Sequence, residues 1–201
     1  LLCLLLAGLL LCASAAAEET DALDEAACRI LKAYKAVGAT VLVARDGEIV
    51  YQLNYGYQDA KAQTPVTDNT HFRIASVTKL VSAIGIMELV EDGKLDLDEP
   101  LGIYLGYTVY NPYFPTASIT LRMVMTHTTS VSQQGSYGRN GYGVQALLGS
   151  GRKNNYYQEL PGSKYRYSNF GAGLMGTLME QITGQNVNDT MTALVFAPLQ
   201  M

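Results

Sequence analysis

The strongest constraint on how this chain can fold is an apolar run of helical periodicity within "FRIASVTKLVSAIGIMELVEDGKL", residues 72 to 95. One set of apolar residues follows the spacing of a single helix face, and a second set fills the other faces. The first set is Val77, Leu80, Val81, Ile84 and Met87, and the second is Ala83, Ile86, Leu89 and Val90. A helix that is apolar on every face is typical of a buried position. We therefore predict a helix that stops at Gly93 and is buried nearly all round by other elements.

The composition is compatible with a core built around such a helix. The chain has 201 residues, of which 48% are hydrophobic and 16% are charged, as expected for an ordinary globular protein with no sign of disorder. The formal net charge is −4 and the sequence contains no cluster of Lys or Arg. Because nucleic-acid binding requires a basic patch, this charge pattern argues against a nucleic-acid partner.

The N-terminal segment "LLCLLLAGLLLCASAAA", residues 1 to 17, is an apolar run that ends in small residues with A-x-A patterns. This pattern is typical of the core and cleavage site of a secretory signal peptide, and the run is too short to span a bilayer. We predict a secreted, periplasmic or cell-envelope protein whose mature chain is residues 18–201. The charged start of a signal peptide is absent, so we expect the sequence to be truncated there. A lipid anchor at Cys12 is disfavoured, because Leu11 precedes it and lipoprotein processing prefers a small residue.

Cysteine usage points to a fold held by its core. Cys3 and Cys12 lie in the predicted signal peptide, which leaves Cys28 alone in the mature chain. One cysteine cannot form an internal disulfide. A catalytic thiol at Cys28 is disfavoured, since no histidine is near it in sequence.

The pattern of elements predicts a mixed α/β (α+β) protein with a helical lobe. A first helix from Asp21 to Val37, capped by Thr20 and ended by Gly38, precedes two β-rich runs joined by Asp46-Gly47, a strong hairpin signal. No convincing strand follows this hairpin. Helices are predicted at four later places: after Thr120, over Val144 to Leu148, before Gly184 and after Asn186. A hairpin alone is marginal, so either it packs only on the first helix or its partner strands lie beyond Met201, and we favour the second interpretation.

Lys79 stands in the first turn of the apolar helix, three residues after Ser76. Burial and the positive end of the helix dipole would both lower the lysine's pKa, and a neutral lysine could take the Ser76 hydroxyl proton while the oxygen attacks a carbonyl. The alternative is that Ser76 caps the helix and Lys79 extends to solvent. Ser150 and Lys153 have the same spacing in a polar loop, so spacing alone does not decide between these interpretations.

Three segments carry a family resemblance: "FRIASVTKLVSAIGIMELVEDGKLDLDEPLGIYL", "ITLRMVMTHTTSVS" and "PGSKYRYSNFGAGLMGTLMEQITGQ". In that order and spacing they resemble the serine β-lactamase and penicillin-binding-protein superfamily. The similarity is greatest to the branch that holds class C β-lactamases, D-alanyl-D-alanine carboxypeptidases, esterases and aminopeptidases. The resemblance implies a β-lactamase/transpeptidase-like fold, with an antiparallel sheet and a helical lobe.

The resemblance also implies roles for individual residues. Ser76 would be the nucleophile that forms an acyl-enzyme, and Lys79 the adjacent base. Tyr167 and Asn169 match the family's Y-x-N motif, in which the tyrosine shuttles protons and the asparagine binds substrate or orients the lysine. A serine nucleophile with a lysine base implies no cofactor. The substrate would be a β-lactam, a D-alanyl peptide of the cell wall or a small ester, and the oligomeric state is not predicted.

Two departures from the family pattern leave alternatives open. Thr129 and Ser130 stand where the family often has Ser-Gly, and a third motif, Lys or His followed by Ser or Thr and Gly, is absent. That motif lies on a strand after the helical lobe and supplies an oxyanion donor, so we expect the sequence to be truncated before it and inactive alone. The alternative to a hydrolase is a module on the same fold that senses β-lactams or binds cell wall without turnover, or a pseudo-enzyme.

Other chemistries are disfavoured. His71 and His127 have no recognisably paired carboxylate, which argues against a Ser-His-Asp triad. Two isolated histidines and scattered carboxylates show no metal-ligand spacing. The acidic string "EDGKLDLDEP" does not have the spacing of a calcium loop.

Overall fold

The computed structural model of the chain describes residues 21–133, 143–149 and 153–201. It divides into two compact units, Leu1–Arg73 and Ile74–Met201. The predicted signal peptide, Thr20 and Ser150 lie outside the described residues.

The first unit contains a helix and an antiparallel sheet. Helix α1 covers residues 21–33, and the sheet has the order β1 (Gly38–Arg45), β2 (Glu48–Asp59) and β3 (Thr64–Pro65). The predicted hairpin is confirmed: β1 pairs antiparallel with β2, and Arg45 lies opposite Glu48. Asp46 and Gly47 between them both have positive φ, 54° and 83°. Two consecutive positive φ angles match a turn that continues the strand twist, which explains the Asp-Gly pair.

The first helix is shorter than predicted. It stops at residue 33, and Lys35 adopts a left-handed φ of 55° that breaks the helix before Val37. Gly38 does not end the helix but opens β1. A Cβ atom there would collide with the carbonyl oxygen of Tyr57, so this position needs glycine for the close approach of β2.

The second unit is mainly helical. Its helices are α2 (Thr78–Glu91), α3 (Leu101–Leu105), α4 (Leu121–Met125), α5 (Val144–Leu148), α6 (Asn169–Thr183) and α7 (Val187–Met191). A second antiparallel pair, β4 (Tyr110–Asn111) and β5 (Phe114–Ser118), lies between α3 and α4. The predicted boundaries are confirmed, since Thr120 and Asn186 cap α4 and α7, and Gly184 ends α6 at φ 69°. Ser168, which was not predicted as a cap, caps α6.

The expectation that no strand follows the hairpin is wrong. Three short strands, β3, β4 and β5, form after it. Two of them have only two residues, too few to show an alternating pattern, and β5 contains Pro115, which argues against a strand in sequence-based reasoning.

The core of the second unit lies between α2 and α6. Ile86 and Leu89 of α2 and Leu178 and Met179 of α6 are fully buried. Gly85 permits close packing, because a Cβ at this position would press on the sulfur of Met191. The prediction that α2 is buried nearly all round is wrong for the described chain: a stripe of its apolar side chains is exposed, namely Val77, Leu80, Ile84 and Met87. Because apolar residues occur on every face of α2, the sequence pattern could not show which face packs against other elements.

A buried amide ties the second strand pair to the loops that lead to α6. Asn111 in β4 is fully buried. Its Nδ2 lies 2.8 Å from Ser130 Oγ, 2.9 Å from the Tyr157 carbonyl oxygen and 3.2 Å from that of Glu159, and its Oδ1 accepts the Tyr113 N–H at 2.9 Å. The Asn111 side chain thus provides hydrogen-bond partners for several backbone groups that lie outside helices and strands.

Replacing Asn111 by alanine is expected to lower the free energy of unfolding by about 2–4 kcal/mol, because buried polar groups would lose their partner. Urea denaturation of the protein expressed from its complete gene measures this change. Asn188→Ala on the exposed side of α7 is the matched control and should change stability by less than about 0.5 kcal/mol. Equal effects of the two substitutions would contradict the assignment.

Candidate active site

Ser76 lies in a 3₁₀ turn, Ala75–Val77, that runs into α2. The residue before it, Ala75, has φ 44°, in the left-handed region that residues with a Cβ rarely adopt. Such backbone strain is typical of functional sites, where surrounding structure holds a residue in an unfavourable conformation. The Ser76 side chain is exposed and does not cap α2, whose N-cap is Val77 without a side-chain hydrogen bond.

Lys79 points back to Ser76 instead of extending freely to solvent. Its Nζ donates a hydrogen bond to Ser76 Oγ at 3.2 Å, one helical turn earlier. The alternative of a capping serine with a solvent-directed lysine is therefore wrong. Lys79 itself is half-buried, which is less burial than the apolar helix predicted.

Tyr167 reaches the same serine from a position 91 residues later in the chain. Its Oη lies 2.7 Å from Ser76 Oγ and donates to Asn169 Oδ1 at 3.2 Å. Because Asn169 Oδ1 can only accept, the tyrosine hydrogen points to it, and the Ser76 hydroxyl then donates to Tyr167 Oη. The structure thus brings together all four residues that the sequence singled out: Ser76, Lys79, Tyr167 and Asn169.

The charge of Lys79 acts on the tyrosine. Hydrogen bonds from Lys79 and Ser76, together with the positive charge of Lys79, lower the pKa of Tyr167, and desolvation opposes them only in part. The lysine Nζ lies 4.9 Å from the centre of the tyrosine ring. A tyrosine with a lowered pKa loses its proton more easily, and the phenolate oxygen next to the serine hydroxyl can then accept the serine proton.

His127 holds the backbone around Tyr167. Its carbonyl oxygen accepts the Arg166 N–H at 2.7 Å, and its Nδ1 accepts the Ser168 N–H at 3.3 Å. Its ring lies 4.7 Å from the ring of Tyr167, centre to centre. Burial, and then the charge of Lys79, lower the pKa of His127, so the ring stays neutral with Nδ1 free to accept.

Ion pairs of Glu159 with two basic residues stabilise the loop before Tyr167. Arg166 Nε donates to Glu159 Oε2 at 3.0 Å, and Lys164 Nζ lies 3.1 Å from Glu159 Oε1. These bonds lower the pKa of Glu159 to about 2, so the carboxylate stays charged across the physiological range.

Sequence reasoning missed Gln133. Its side-chain Nε2 donates to the Tyr167 carbonyl oxygen at 3.1 Å, and its Oε1 accepts the Asn169 N–H at 3.4 Å. Gln133 lies in a loop rich in small and polar residues with no periodic pattern, so no signal in the sequence could have found it.

The described part of the chain offers no cluster of three or more His, Cys, Asp or Glu residues able to hold a metal ion. In residues 21–133, 143–149 and 153–201, no helix combines the length and the apolarity needed to cross a membrane.

Comparisons with known proteins match the chain to one family. The family model described as Beta-lactamase matches residues 23–201. Esterase EstB from Burkholderia gladioli is 32% identical over 196 residues, which cover 89% of this chain and 49% of the esterase.

Solved structures show the same fold. The D-alanine carboxypeptidase AmpC from Burkholderia cenocepacia superposes with a TM-score of 0.72 at 27% identity, over 92% of this chain and 48% of that one. The D-amino acid amidase from Ochrobactrum anthropi SV3 does so with a TM-score of 0.70 at 27% identity, over 91% and 51%. The chain spans about half the length of each of these three proteins. The predicted fold, an antiparallel sheet with a helical lobe, is confirmed, and the chain belongs to the Beta-lactamase family.

Proposed function

We propose that the protein is an exported serine hydrolase that acts through an acyl-enzyme. The observation that carries this proposal is the position of Ser76 Oγ, held between Lys79 Nζ at 3.2 Å and Tyr167 Oη at 2.7 Å. A serine needs an adjacent group to take its proton before it can attack a carbonyl, and here two such groups contact the same oxygen. Export rests on the apolar segment at residues 1–17.

In the proposed mechanism Tyr167 is the group that moves protons. Tyr167 Oη, as the phenolate, takes the Ser76 proton as Ser76 Oγ attacks the carbonyl carbon, and then gives it to the leaving group when the tetrahedral intermediate collapses. A water molecule next gives a proton to the Tyr167 phenolate and attacks the acyl carbon; when the bond to Ser76 Oγ breaks and the product leaves, Tyr167 returns that proton to Ser76 Oγ. Lys79 favours the phenolate throughout, and the Asn169 amide, next to the tyrosine hydroxyl, binds substrate or orients this network.

The substrate class follows from chemistry that the relatives share. An esterase, a D-alanine carboxypeptidase and a D-amino acid amidase are similar to this chain over most of its described length. Their names all denote cleavage of an ester or amide at a carbonyl. We therefore propose a small ester, a D-alanyl peptide or a β-lactam as substrate.

The proposal is tested with a fluorophosphonate probe and peptide mapping. The protein expressed from its complete gene should carry the probe on Ser76, and should hydrolyse at least one of a p-nitrophenyl ester, a D-alanyl-D-alanine peptide and a chromogenic cephalosporin. A stoichiometric burst without steady-state release on all three would favour the sensing module instead. Labelling at another residue would contradict the proposal.

The pH dependence separates the two candidate bases. Since Lys79 lowers the pKa of Tyr167, kcat/KM should rise with pH and level off above a pKa below that of an ordinary tyrosine. Lys79→Met removes the cause of the lowering, so the rising limb should move to higher pH. Lys79→Arg keeps a positive charge, and the limb should stay near its wild-type position, although geometry will reduce the rate.

The arginine variant gives the decisive outcome. Arginine cannot be deprotonated in proteins, so it cannot replace a lysine that accepts the proton itself. If Lys79→Arg is as inactive as Lys79→Met at every pH, the lysine is the base and the role proposed for Tyr167 is wrong.

A further inference from the structure

The side chain of Tyr167 depends on its backbone for its position. Tyr167 lies in an irregular segment just before α6, and 39% of its surface is exposed. Packing therefore restrains it only on one side. Its Oη must still stay 2.7 Å from Ser76 Oγ, which belongs to a different element. The hydrogen bonds of the backbone from residue 166 to residue 169 decide whether that contact holds.

His127 fixes one set of these backbone groups. It binds the N–H groups of Arg166 and Ser168, on both sides of Tyr167. His127 does not bind the carbonyl oxygen of Tyr167 or the N–H of Asn169. Asn169 is the first residue of α6, and the first N–H groups of a helix have no partner within it. The Ser168 cap accepts only the Gly171 N–H, so Asn169 needs another acceptor.

We propose that Gln133 is a positioning residue that holds Tyr167 in reach of Ser76. This inference rests on the proposed function in that it gives Tyr167 the proton-transfer role. Gln133 provides one donor and one acceptor on the same planar amide, and these bind the Tyr167 carbonyl oxygen and the Asn169 N–H, which flank Ser168. No other side-chain type offers that pair at this length, so the site requires an amide and not merely a polar group.

The chemistry of the amide suggests two informative substitutions. Gln133→Met keeps the length and removes both bonds. Gln133→Glu keeps an acceptor for the Asn169 N–H but sets a second oxygen against the Tyr167 carbonyl oxygen. It also adds a negative charge near the phenol, which opposes the effect of Lys79 and raises the pKa of Tyr167.

Steady-state kinetics of the protein expressed from its complete gene tests the proposal. Gln133→Met should lower kcat by roughly 10- to 100-fold with KM little changed, because a misplaced catalytic group is costly even when binding is intact. Gln133→Glu should lower kcat as well and should also move the rising limb of the pH profile to higher pH. Gln181→Met, on the exposed side of α6, is the matched control and should behave as wild type. Thermal melting shows that each variant is folded.

Two results would overturn the proposal. A raised KM with unchanged kcat would show that Gln133 contacts substrate, and a wild-type kcat with a wild-type pH profile would show that it has no role. A second measurement does not depend on turnover. The tyrosinate absorbance of each protein is titrated with pH, and the titration of the same protein with Tyr167→Phe is subtracted, which gives the pKa of Tyr167. Gln133→Met adds no charge, so it should raise the pKa found this way only by moving Tyr167 away from Lys79 and Ser76, and no change in this variant would count against positioning. If Ser76→Ala retains hydrolysis, the proposed function fails while this titration still decides about Gln133.

Discussion

Ser76→Ala is expected to abolish covalent labelling by a fluorophosphonate probe and to lower kcat/KM by about 10⁴-fold or more. The reason is that alanine removes the atom that forms the acyl-enzyme, and loss of a nucleophile costs several orders of magnitude in serine hydrolases. Probe labelling, mass mapping and kinetics on the best ester or amide substrate measure the effect in the protein expressed from its complete gene.

The matched control for this substitution lies on α2, the helix that follows Ser76. Ser82→Ala removes a half-buried hydroxyl six residues after Ser76, and should leave labelling and kcat/KM close to wild type. If Ser76→Ala is labelled as strongly as wild type, the nucleophile lies elsewhere and the proposed function is wrong.

Tyr167→Phe is expected to lower kcat/KM by about 10²- to 10⁴-fold, the usual contribution of a positioned acid or base. Phenylalanine keeps the ring against His127 but removes the oxygen that lies 2.7 Å from Ser76 Oγ. The rise of activity with pH should disappear with it, because the group that titrates is gone. Probe labelling at Ser76 should become slow without being lost.

Tyr165→Phe is the control for the tyrosine. It lies two residues earlier, and its ring meets the ring of His127 edge-on at 5.8 Å, a contact that phenylalanine retains. We expect it to keep the wild-type rate and pH profile. A Tyr167→Phe variant with the full wild-type pH dependence would assign the titrating group to Lys79 instead.

Local chemistry made several elements readable from the sequence. Asp46-Gly47 predicts the hairpin because both residues tolerate positive φ, and the structure has both there. The helix ends at Thr120 and Gly184 were predictable for the same kind of reason, since caps and left-handed stops act within a few residues. The end of α1 was not, because nothing in the local pattern required Lys35 to turn left-handed.

The sequence could not show which faces of a helix are covered by other elements. Periodicity shows which side chains are apolar but not what lies over them, so the exposed stripe on α2 was predicted as buried. The strands β3, β4 and β5 each pair with a strand next to them in the chain, but β3 and β4 have only two residues and β5 contains Pro115, so no alternating pattern marks them in the sequence. The role of Asn169 also needed tertiary contacts: the structure places its Oδ1 against the Tyr167 hydroxyl, while its predicted contact with substrate stays a prediction.

The sequence by itself determined that Ser76 and Lys79, three residues apart on a helical turn, lie on the same face, but the structure decided that the lysine binds the serine. Family resemblance added Tyr167 and Asn169 by the order of their motifs. Only the tertiary structure decided that the tyrosine oxygen lies 2.7 Å from the serine, and that Gln133 and His127 hold the tyrosine's backbone. The physical reason is one of distance along the chain: contacts across 34 to 91 residues depend on how whole elements pack, and no local pattern encodes that packing.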